Sequence, residues 1–390
     1  LPMTGNPIYL DHSATTPLDD RVFAAMKPYF SEYFGNPSSI HRYGQKAEAA
    51  VEQARSTVAE RFGCSSESVF FTACATESNN LVLHGIAAHY AEQDKPFHVL
   101  TTPVEHPSVI GPLRTIQEHG QGMYSYLPVD RGGKLRINQL EGLIHDDVSL
   151  VSIIFGNNEI GTVNPVHALG RFLSGHTALL HIDAVQCANS MELDVDKLHV
   201  DFLTLSAHKF YGPKGVGILY ARNPELLKPI LQGGSQESGK RPGTHNVPLI
   251  VGAAKALELS QSMRDAETER LLPIRDAIIE EVLTGISDCE LTGDPEERLP
   301  HHISFAFAGV DSNQLLAALD LEGFACSSGS ACKVGNPEPS AVLVALGYPE
   351  ELARGALRVT LGRDSTSEHA DGFIHTLIKV IDRLRSGSAS

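Results

Sequence analysis

The sequence has few cysteines, and none of them stands in a CxxC pair. The six are Cys64, Cys74, Cys187, Cys289, Cys326 and Cys332. Disulfide-stapled domains need a denser framework, so this pattern indicates a reducing compartment with mostly buried thiols. A zinc centre is poorly supported, because no Cys or His pairs repeat at the spacing of metal ligands. We therefore expect no metal site.

A long apolar segment is also missing. No stretch approaches the roughly 20 apolar residues that a membrane helix needs. The first residues, LPMTGNPIYLDHS, do not place a basic region before an apolar one, as a secretory signal does. With 42% hydrophobic and 20% charged residues, the chain has a composition typical of folded proteins. We expect a cytoplasmic protein.

Positive charge is in deficit. Lysine and arginine together number 31 against 47 aspartates and glutamates, which gives a formal net charge of −16. Such a field repels phosphate backbones and anionic lipid surfaces. Direct binding to nucleic acid or to a membrane is therefore disfavoured.

Short apolar runs alternate with segments that suit helices. Six runs predict buried strands at 68–72, 98–102, 149–156, 178–185, 202–207 and 215–221. Helices are predicted at 47–62, 75–90, 107–120 and 165–175. This alternation indicates βαβ units and a mainly parallel sheet covered on both faces. In such sheets, ligands bind at the carboxyl ends of the strands.

The alternation of short strands and helices ends near residue 256, where a long helical stretch begins. Strand candidates follow at 300–307 and 356–361, and then a C-terminal helix. At about 150 residues per domain, the 390-residue length is consistent with more than one domain. We predict a large domain over 15–255 and a smaller domain formed by 1–14 and 256–390.

The strongest chemical pattern lies at the ends of two predicted strands. Asp183 ends ALLHID, and 26 residues later Lys209 follows FLTLSAH before the turn YGPKG. This arrangement suits pyridoxal 5'-phosphate. A lysine amine forms a Schiff base with that cofactor, and an aspartate keeps its pyridine nitrogen protonated so that the ring accepts electrons.

With these residues in place, the chain resembles the class V aminotransferase family, and within it the NifS/IscS-like cysteine desulfurases of iron–sulfur cluster assembly. Eight motifs in order carry the resemblance: LDHSATTP at 10–17, GNPSSIHRYG at 35–44, ATESNN at 75–80, NNEIG at 157–161, SAHKFYGPKG at 206–215, RPGTHN at 241–246, SSGSAC at 327–332 and LRVTLGR at 357–363. The resemblance implies the fold type I architecture of pyridoxal-phosphate enzymes. That α/β fold has a large domain with a seven-stranded, mainly parallel sheet and a smaller α+β domain.

The resemblance also implies how the cofactor is held. The cofactor-binding residues it implies are Ala75, Thr76, His106, Asn158, Asp183, Gln186, Ser206, His208, Lys209 and Thr244. Ala75 and Thr76 begin a predicted helix, whose free N–H groups favour a dianionic phosphate. His106 would stack on the ring and handle protons, as the corresponding histidine of the family does. By the same resemblance, Thr244 would reach the phosphate of a neighbouring subunit, which implies a homodimer with shared active sites.

The implied substrate is L-cysteine, which is converted to L-alanine. Arg358 would bind its carboxylate, with help from Asn36, although a structural salt bridge is the alternative role for Arg358. Cys332 would take up the sulfur as a persulfide and pass it to an acceptor protein, such as an iron–sulfur scaffold or a sulfur carrier for thio-cofactors or tRNA thiolation. Cys326 is expected to be an inert apolar thiol.

Other interpretations stay open at this point. A selenocysteine lyase or another carbon–sulfur lyase would share the fold. A non-catalytic scaffold, or a metal or redox thiol protein, would not turn over cysteine. The sequence also departs from the family pattern at two positions. Cys74 stands where glycine is common, which could reshape the phosphate turn, and Asp364 stands where an aromatic residue is common.

Overall fold

The computed structural model describes residues 7–329 and 339–387. Its α-helices are α1 Asp20–Met26, α2 Pro28–Ser31, α3 Arg42–Phe62, α4 Ala75–Ala91, α5 Pro107–Glu118, α6 Val166–Leu173, α7 Val195–Leu198, α8 Val247–Gly285, α9 Ser312–Leu321, α10 Ala341–Ala345, α11 Glu350–Arg354 and α12 Ser367–Gly387. Its strands are β1 Ile8–Tyr9, β2 Val69–Thr72, β3 His98–Thr101, β4 Met123–Tyr126, β5 Leu150–Ile154, β6 Leu179–Asp183, β7 Phe202–Ser206, β8 Gly217–Ala221, β9 Cys289–Leu291, β10 His302–Phe307, β11 Phe324–Ala325 and β12 Ala356–Thr360.

A seven-stranded sheet forms the centre of the molecule, in the order β2-β8-β7-β6-β5-β3-β4. Only β8 runs antiparallel to its neighbours among these strands. The six strands predicted from apolar runs are confirmed as members of this sheet. The sequence did not predict β4, because its residues are partly or fully exposed and give no apolar run.

The helix predicted at 47–62 is confirmed as part of α3. Its apolar residues, which include Ala47, Val51 and Val58, recur at helical spacing. They are buried in the same apolar core as residues of the large sheet. Gly63 ends the helix in the left-handed conformation, with φ of 68°. Glycine reaches this conformation without the steric cost that a Cβ atom brings, so it terminates the helix at this point.

Two separate apolar cores lie along helix α8. Ala253 and Leu257 pack in the core of the large sheet, whereas Leu271 and Ile278 pack in a second core. The second core also covers a three-stranded antiparallel sheet in the order β12-β10-β9. The predicted domain boundary after residue 255 falls inside the continuous helix α8 and stays a prediction.

The parallel strands bring the chemical motifs to one edge of the large sheet. The segments that follow the carboxyl ends of β2, β5, β6 and β7 all reach this edge, and helix α5 begins there after β3. In the part of the chain that the structure describes, no helix has both the length and the apolar character needed to cross a membrane.

Candidate active site

A cavity of about 180 Å³ opens at the carboxyl edge of the large sheet. Nine residues that the sequence assigned to the cofactor line it together: Ala75, Thr76, His106, Asn158, Asp183, Gln186, Ser206, His208 and Lys209. They come from five separate segments of the chain. The sheet topology therefore brings together residues that the sequence could only place one by one.

Lys209 occupies a short turn directly after β7. Its amine donates hydrogen bonds to the carbonyl oxygens of Ser13, at 2.5 Å, and Ala14, at 2.7 Å. Burial lowers the pKa of this amine to about 8, and the positive charge of Arg358 acts in the same direction. A larger share of the amine is therefore uncharged than in an ordinary lysine, as an amine nucleophile requires.

Asp183 ends strand β6 and is 3% exposed. Its Oδ2 accepts a hydrogen bond from the side-chain amide of Asn79 at 2.9 Å. Its Oδ1 accepts one from the backbone N–H of Val185 at 3.1 Å. Two donors thus fix the orientation of a carboxylate that faces the cavity.

Helix α4 begins at the cavity wall with Ala75. The preceding residue, Cys74, makes no capping hydrogen bond with its side chain. Among the described residues, the N-cap side chain therefore leaves the first N–H groups of the helix uncapped, and together with the helix dipole they favour an anion. Cys74 has extended backbone angles, with φ of −171°, which any residue adopts. The turn thus does not depend on the glycine that is common at this position.

His208 and Ser206 line the same cavity as the start of helix α4. The ring of His208 has its Nδ1 3.1 Å from the hydroxyl of Thr15. Burial, together with the positive charges of Lys209 and Lys214, lowers the pKa of His208 to about 4. At neutral pH this imidazole is uncharged, so it acts as a hydrogen-bonding group.

His106 caps the N-terminus of helix α5. Its Nδ1 accepts a hydrogen bond from the backbone N–H of Ser108 at 3.1 Å and lies 2.8 Å from the Ser108 hydroxyl. Burial lowers the pKa of the ring, Lys209 acts in the same direction, and Asp183 opposes both. The cavity therefore contains a neutral imidazole able to accept or donate a proton.

Comparison with known proteins gives this cavity its context. The model of the family "Aminotransferase class-V" matches residues 8–373. The chain belongs to this family. Cysteine desulfurase IscS of Dictyoglomus turgidum is 44% identical over 97% of this chain and 95% of its own length. Enzymes of this type depend on pyridoxal 5'-phosphate.

Solved structures agree with the family assignment. A NifS-like protein has a TM-score of 0.89 at 34% identity and covers 97% of this chain and all of its own (100%). A structure described as SspA in complex with cysteine has a TM-score of 0.79 at 32% identity, over 90% of this chain and 98% of its own. The fold type I architecture expected from the sequence is thus confirmed.

The donor set in the cavity fits the cofactor of this family. An amine of lowered pKa and a fixed carboxylate are both present, as the aldehyde and the pyridine nitrogen require. The uncapped N-terminus of α4 offers N–H groups to a phosphate. The residues that would hold the cofactor are therefore Lys209, Asp183, Ala75 and Thr76.

Arg358 does not line the cavity wall but lies directly behind it. Its Nη1 donates to the carbonyl oxygen of Asn158 at 2.9 Å, and its Nη2 donates to Oδ1 of Asp11 at 2.7 Å. Its buried Nε has no hydrogen-bond partner within residues 7–329 and 339–387. Arg358 thus makes the alternative salt bridge, and a substrate carboxylate would have to share this guanidinium with Asp11.

Two other predicted site residues lie away from the cavity of their own subunit. Asn36 is exposed, and its Oδ1 accepts a hydrogen bond from the backbone N–H of Ser38 at 3.0 Å. Thr244 is also exposed. Neither residue contributes to the cavity wall. Their assigned roles stay predictions.

Cys332 lies outside the described residues. Among the described cysteines, burial raises the thiol pKa of Cys64, Cys187, Cys289 and Cys326. Such thiols carry little thiolate at neutral pH and are poor nucleophiles. Cys326 packs against the second core, which fits its predicted apolar role. Cys74 lines the cavity and is the described thiol nearest to the candidate chemistry.

Sequence reasoning missed several residues of the site. Asn79 and Ser108 bond to Asp183 and His106, and Asp11 pairs with Arg358. Glu105 is 5% exposed and accepts a hydrogen bond from Thr102 at 2.6 Å, while burial raises its pKa to about 8. Asp11 and Asn79 stand in two of the quoted motifs, and Glu105 and Ser108 lie close to His106 in the sequence, but only the folded structure identifies their partners.

Proposed function

We propose that this chain is a pyridoxal-phosphate-dependent cysteine desulfurase that converts L-cysteine to L-alanine and transfers the sulfur through Cys332. The observation that carries the proposal is a single cavity that joins the Lys209 amine, the Asp183 carboxylate and the uncapped start of helix α4. The activity named for the Dictyoglomus turgidum relative, and the cysteine named with the SspA structure, support the choice of substrate.

Each residue has a defined task in this reaction. When bound, the cofactor supplies an electron sink next to the substrate α-carbon. Lys209 takes the proton from that carbon, since its amine is buried and easily uncharged. His106 exchanges protons as a neutral imidazole. Arg358 binds the substrate carboxylate in a bidentate manner once Asp11 yields a share of the guanidinium.

Sulfur transfer needs no external oxidant or reductant. The Cys332 thiolate attacks the substrate sulfur, so a sulfur–sulfur bond forms and the substrate carbon–sulfur bond breaks. The two electrons of the broken bond stay with the carbon skeleton, which gains a proton and leaves as alanine. The products are one alanine and one persulfide on Cys332.

The experiment that tests this function compares the parent protein with Cys332→Ala after brief exposure to L-cysteine. We expect the parent to release alanine and to carry an added sulfur on Cys332 in peptide mass spectra. Cys332→Ala should bind the cofactor and lose nearly all alanine release. Unchanged alanine release by Cys332→Ala would indicate a lyase, and added sulfur on Cys74 would place the nucleophile there.

The proposed enzyme is a homodimer that donates its persulfide sulfur to an acceptor protein, such as an iron–sulfur scaffold or a sulfur carrier. Several large apolar side chains are exposed between α2 and the start of α3, with Phe34 66% and Ile40 93% exposed. An apolar surface of this kind favours burial against another copy. Light scattering would measure the molecular mass in solution and thus the number of subunits. Transfer of radioactive sulfur from the enzyme to purified candidate proteins would identify the acceptor.

A further inference from the structure

Asn79 connects two residues of the cavity that the sequence treated separately. It lies in α4, four positions after Ala75, and its side chain is fully buried. Its amide nitrogen donates to Oδ2 of Asp183 at 2.9 Å and to the hydroxyl of Ser108 at 2.9 Å. The Ser108 hydroxyl in turn lies 2.8 Å from Nδ1 of His106. A continuous chain of hydrogen bonds thus joins Asp183 to His106.

The chemistry of the groups sets the direction of this chain. A carboxylate only accepts hydrogen bonds, so the nitrogen of the Asn79 amide must face Asp183. The same nitrogen donates its second hydrogen to the Ser108 oxygen. The Ser108 hydroxyl hydrogen is then available for Nδ1 of His106, which also accepts from the Ser108 backbone. With Nδ1 as acceptor, the hydrogen of the neutral ring lies on Nε2.

The side-chain oxygen of Asn79 is evidence against a purely structural role for this residue. Its Oδ1 is buried and finds no hydrogen-bond partner among the described residues. An unsatisfied buried acceptor destabilises a fold. An asparagine at position 79 therefore lowers the stability of the fold. In return, its amide supplies two N–H donors, and their acceptors, Asp183 and Ser108, both line the cavity.

We propose that Asn79 and Ser108 are positioning residues, which hold the Asp183 carboxylate in place and keep His106 in the tautomer with its hydrogen on Nε2. This inference rests on the proposed function, since it assigns Asp183 to the cofactor ring and His106 to proton exchange. Asn79 acts through both of these residues. It couples the orientation of the carboxylate to the state of the imidazole.

Nitrogen NMR of the holoenzyme tests the tautomer directly. The protein is labelled with ¹⁵N-histidine, and His106→Gln identifies the His106 signals by their loss. We expect Nδ1 of His106 to resonate as an unprotonated nitrogen and Nε2 as a protonated one. In Ser108→Ala, one of two donors is lost, so the Nδ1 signal should move toward that of a free acceptor nitrogen. Ser108→Thr, which retains a hydroxyl, should restore it.

Asn79→Leu removes both N–H donors of the side-chain amide and keeps its branched shape. This variant should move the Nδ1 signal of His106 in the same direction as Ser108→Ala. Asn80→Ala is the matched control, because Asn80 lies on the same helix and its side chain donates to the Thr76 carbonyl, at 2.8 Å, with no bond to Asp183, Ser108 or His106 among the described contacts. If Asn79→Leu fails to fold, Ser108→Ala decides the question. A protonated Nδ1 in the parent protein, or an unmoved Nδ1 signal in Ser108→Ala, would overturn the inference.

Kinetics give a second readout. In Asn79→Leu and Ser108→Ala we expect kcat for alanine release to fall by about tenfold, the rate equivalent of one lost hydrogen bond, with a smaller change in KM. Equal kcat values in parent and both variants would contradict the positioning role. Absence of alanine release from the parent would instead refute the proposed function, and the NMR result would still stand on its own.

Discussion

The amine of Lys209 is held by hydrogen bonds to residues that are distant in the sequence. The carbonyl groups of Ser13 and Ala14, almost 200 positions earlier, accept its hydrogen bonds. These two residues belong to LDHSATTP, for which the sequence suggested no partner. The motif identifies Lys209 as the reactive lysine. The hydrogen bonds that position its amine form only when the chain folds.

Replacement of Lys209 by Ala should remove covalent attachment of the cofactor and all turnover, because no other lysine among the described residues lines the cavity. The measurement is borohydride reduction of the holoenzyme, followed by peptide mapping of the attached cofactor. Lys214→Ala is the control, since Lys214 is exposed in the same motif and does not line the cavity. Cofactor attached to the same peptide in Lys209→Ala would refute the assignment.

The lowered pKa of Lys209 predicts a pH dependence of cofactor capture by the apoprotein. The uncharged amine is the nucleophile, so the rate should rise with pH and level off above about 8 rather than near the ordinary lysine value of 10.5. At pH 7 about one amine in ten is already uncharged. Stopped-flow absorbance of added cofactor measures this rate. A rate that still rises steeply between pH 9 and about 10.5 would contradict the lowered pKa.

At the scale of secondary structure, the sequence predicted most of the strands that carry residues of the candidate site. Buried strands give continuous apolar runs, so β5, β6 and β7 could be placed along with the residues at their ends. Contacts between elements could not be placed. Asn79 and Asp183 are 104 positions apart, and Arg358 and Asp11 are 347 apart. Side-chain pairing at such separations leaves no local periodicity to detect.

The N-terminus of helix α4 yields a prediction about the glycine that Cys74 replaces. Because Cys74 adopts extended angles, Cys74→Gly should leave the dissociation constant of the cofactor essentially unchanged. Thr76→Ala, in the first turn of the same helix, should weaken binding, since it removes the hydroxyl of a residue that lines the cavity. Equilibrium titration followed by cofactor absorbance measures both. Clearly tighter binding by Cys74→Gly would show that the cysteine does distort the turn.

At the scale of the whole molecule, the loop that carries Thr244 is fixed from within its own subunit. Glu237 accepts hydrogen bonds from Arg55 at 2.7 and 2.9 Å and lies 2.6 Å from Nε2 of His245. Glu237 and Ser238 both adopt positive φ angles, of 49° and 54°. Residues other than glycine rarely adopt such angles, so the buried ion pair offsets backbone strain. A rigid loop of this kind can present an exposed threonine to another subunit.

This arrangement predicts complementation between two defective subunits, if Thr244 serves the cavity of a neighbour. Lys209→Ala protein should be inactive, and Thr244→Ala protein should bind the cofactor weakly. A mixed dimer contains one cavity with both defects and one cavity with neither. Subunits mixed through reversible unfolding should therefore recover alanine release at low cofactor concentration, above the sum of the two separate variants. A mixture of Lys209→Ala with Asp183→Ala is the control, because both residues line the cavity of their own subunit and no intact cavity can form. Recovery in the control, or none in the first mixture, would mean that Thr244 does not act across the dimer.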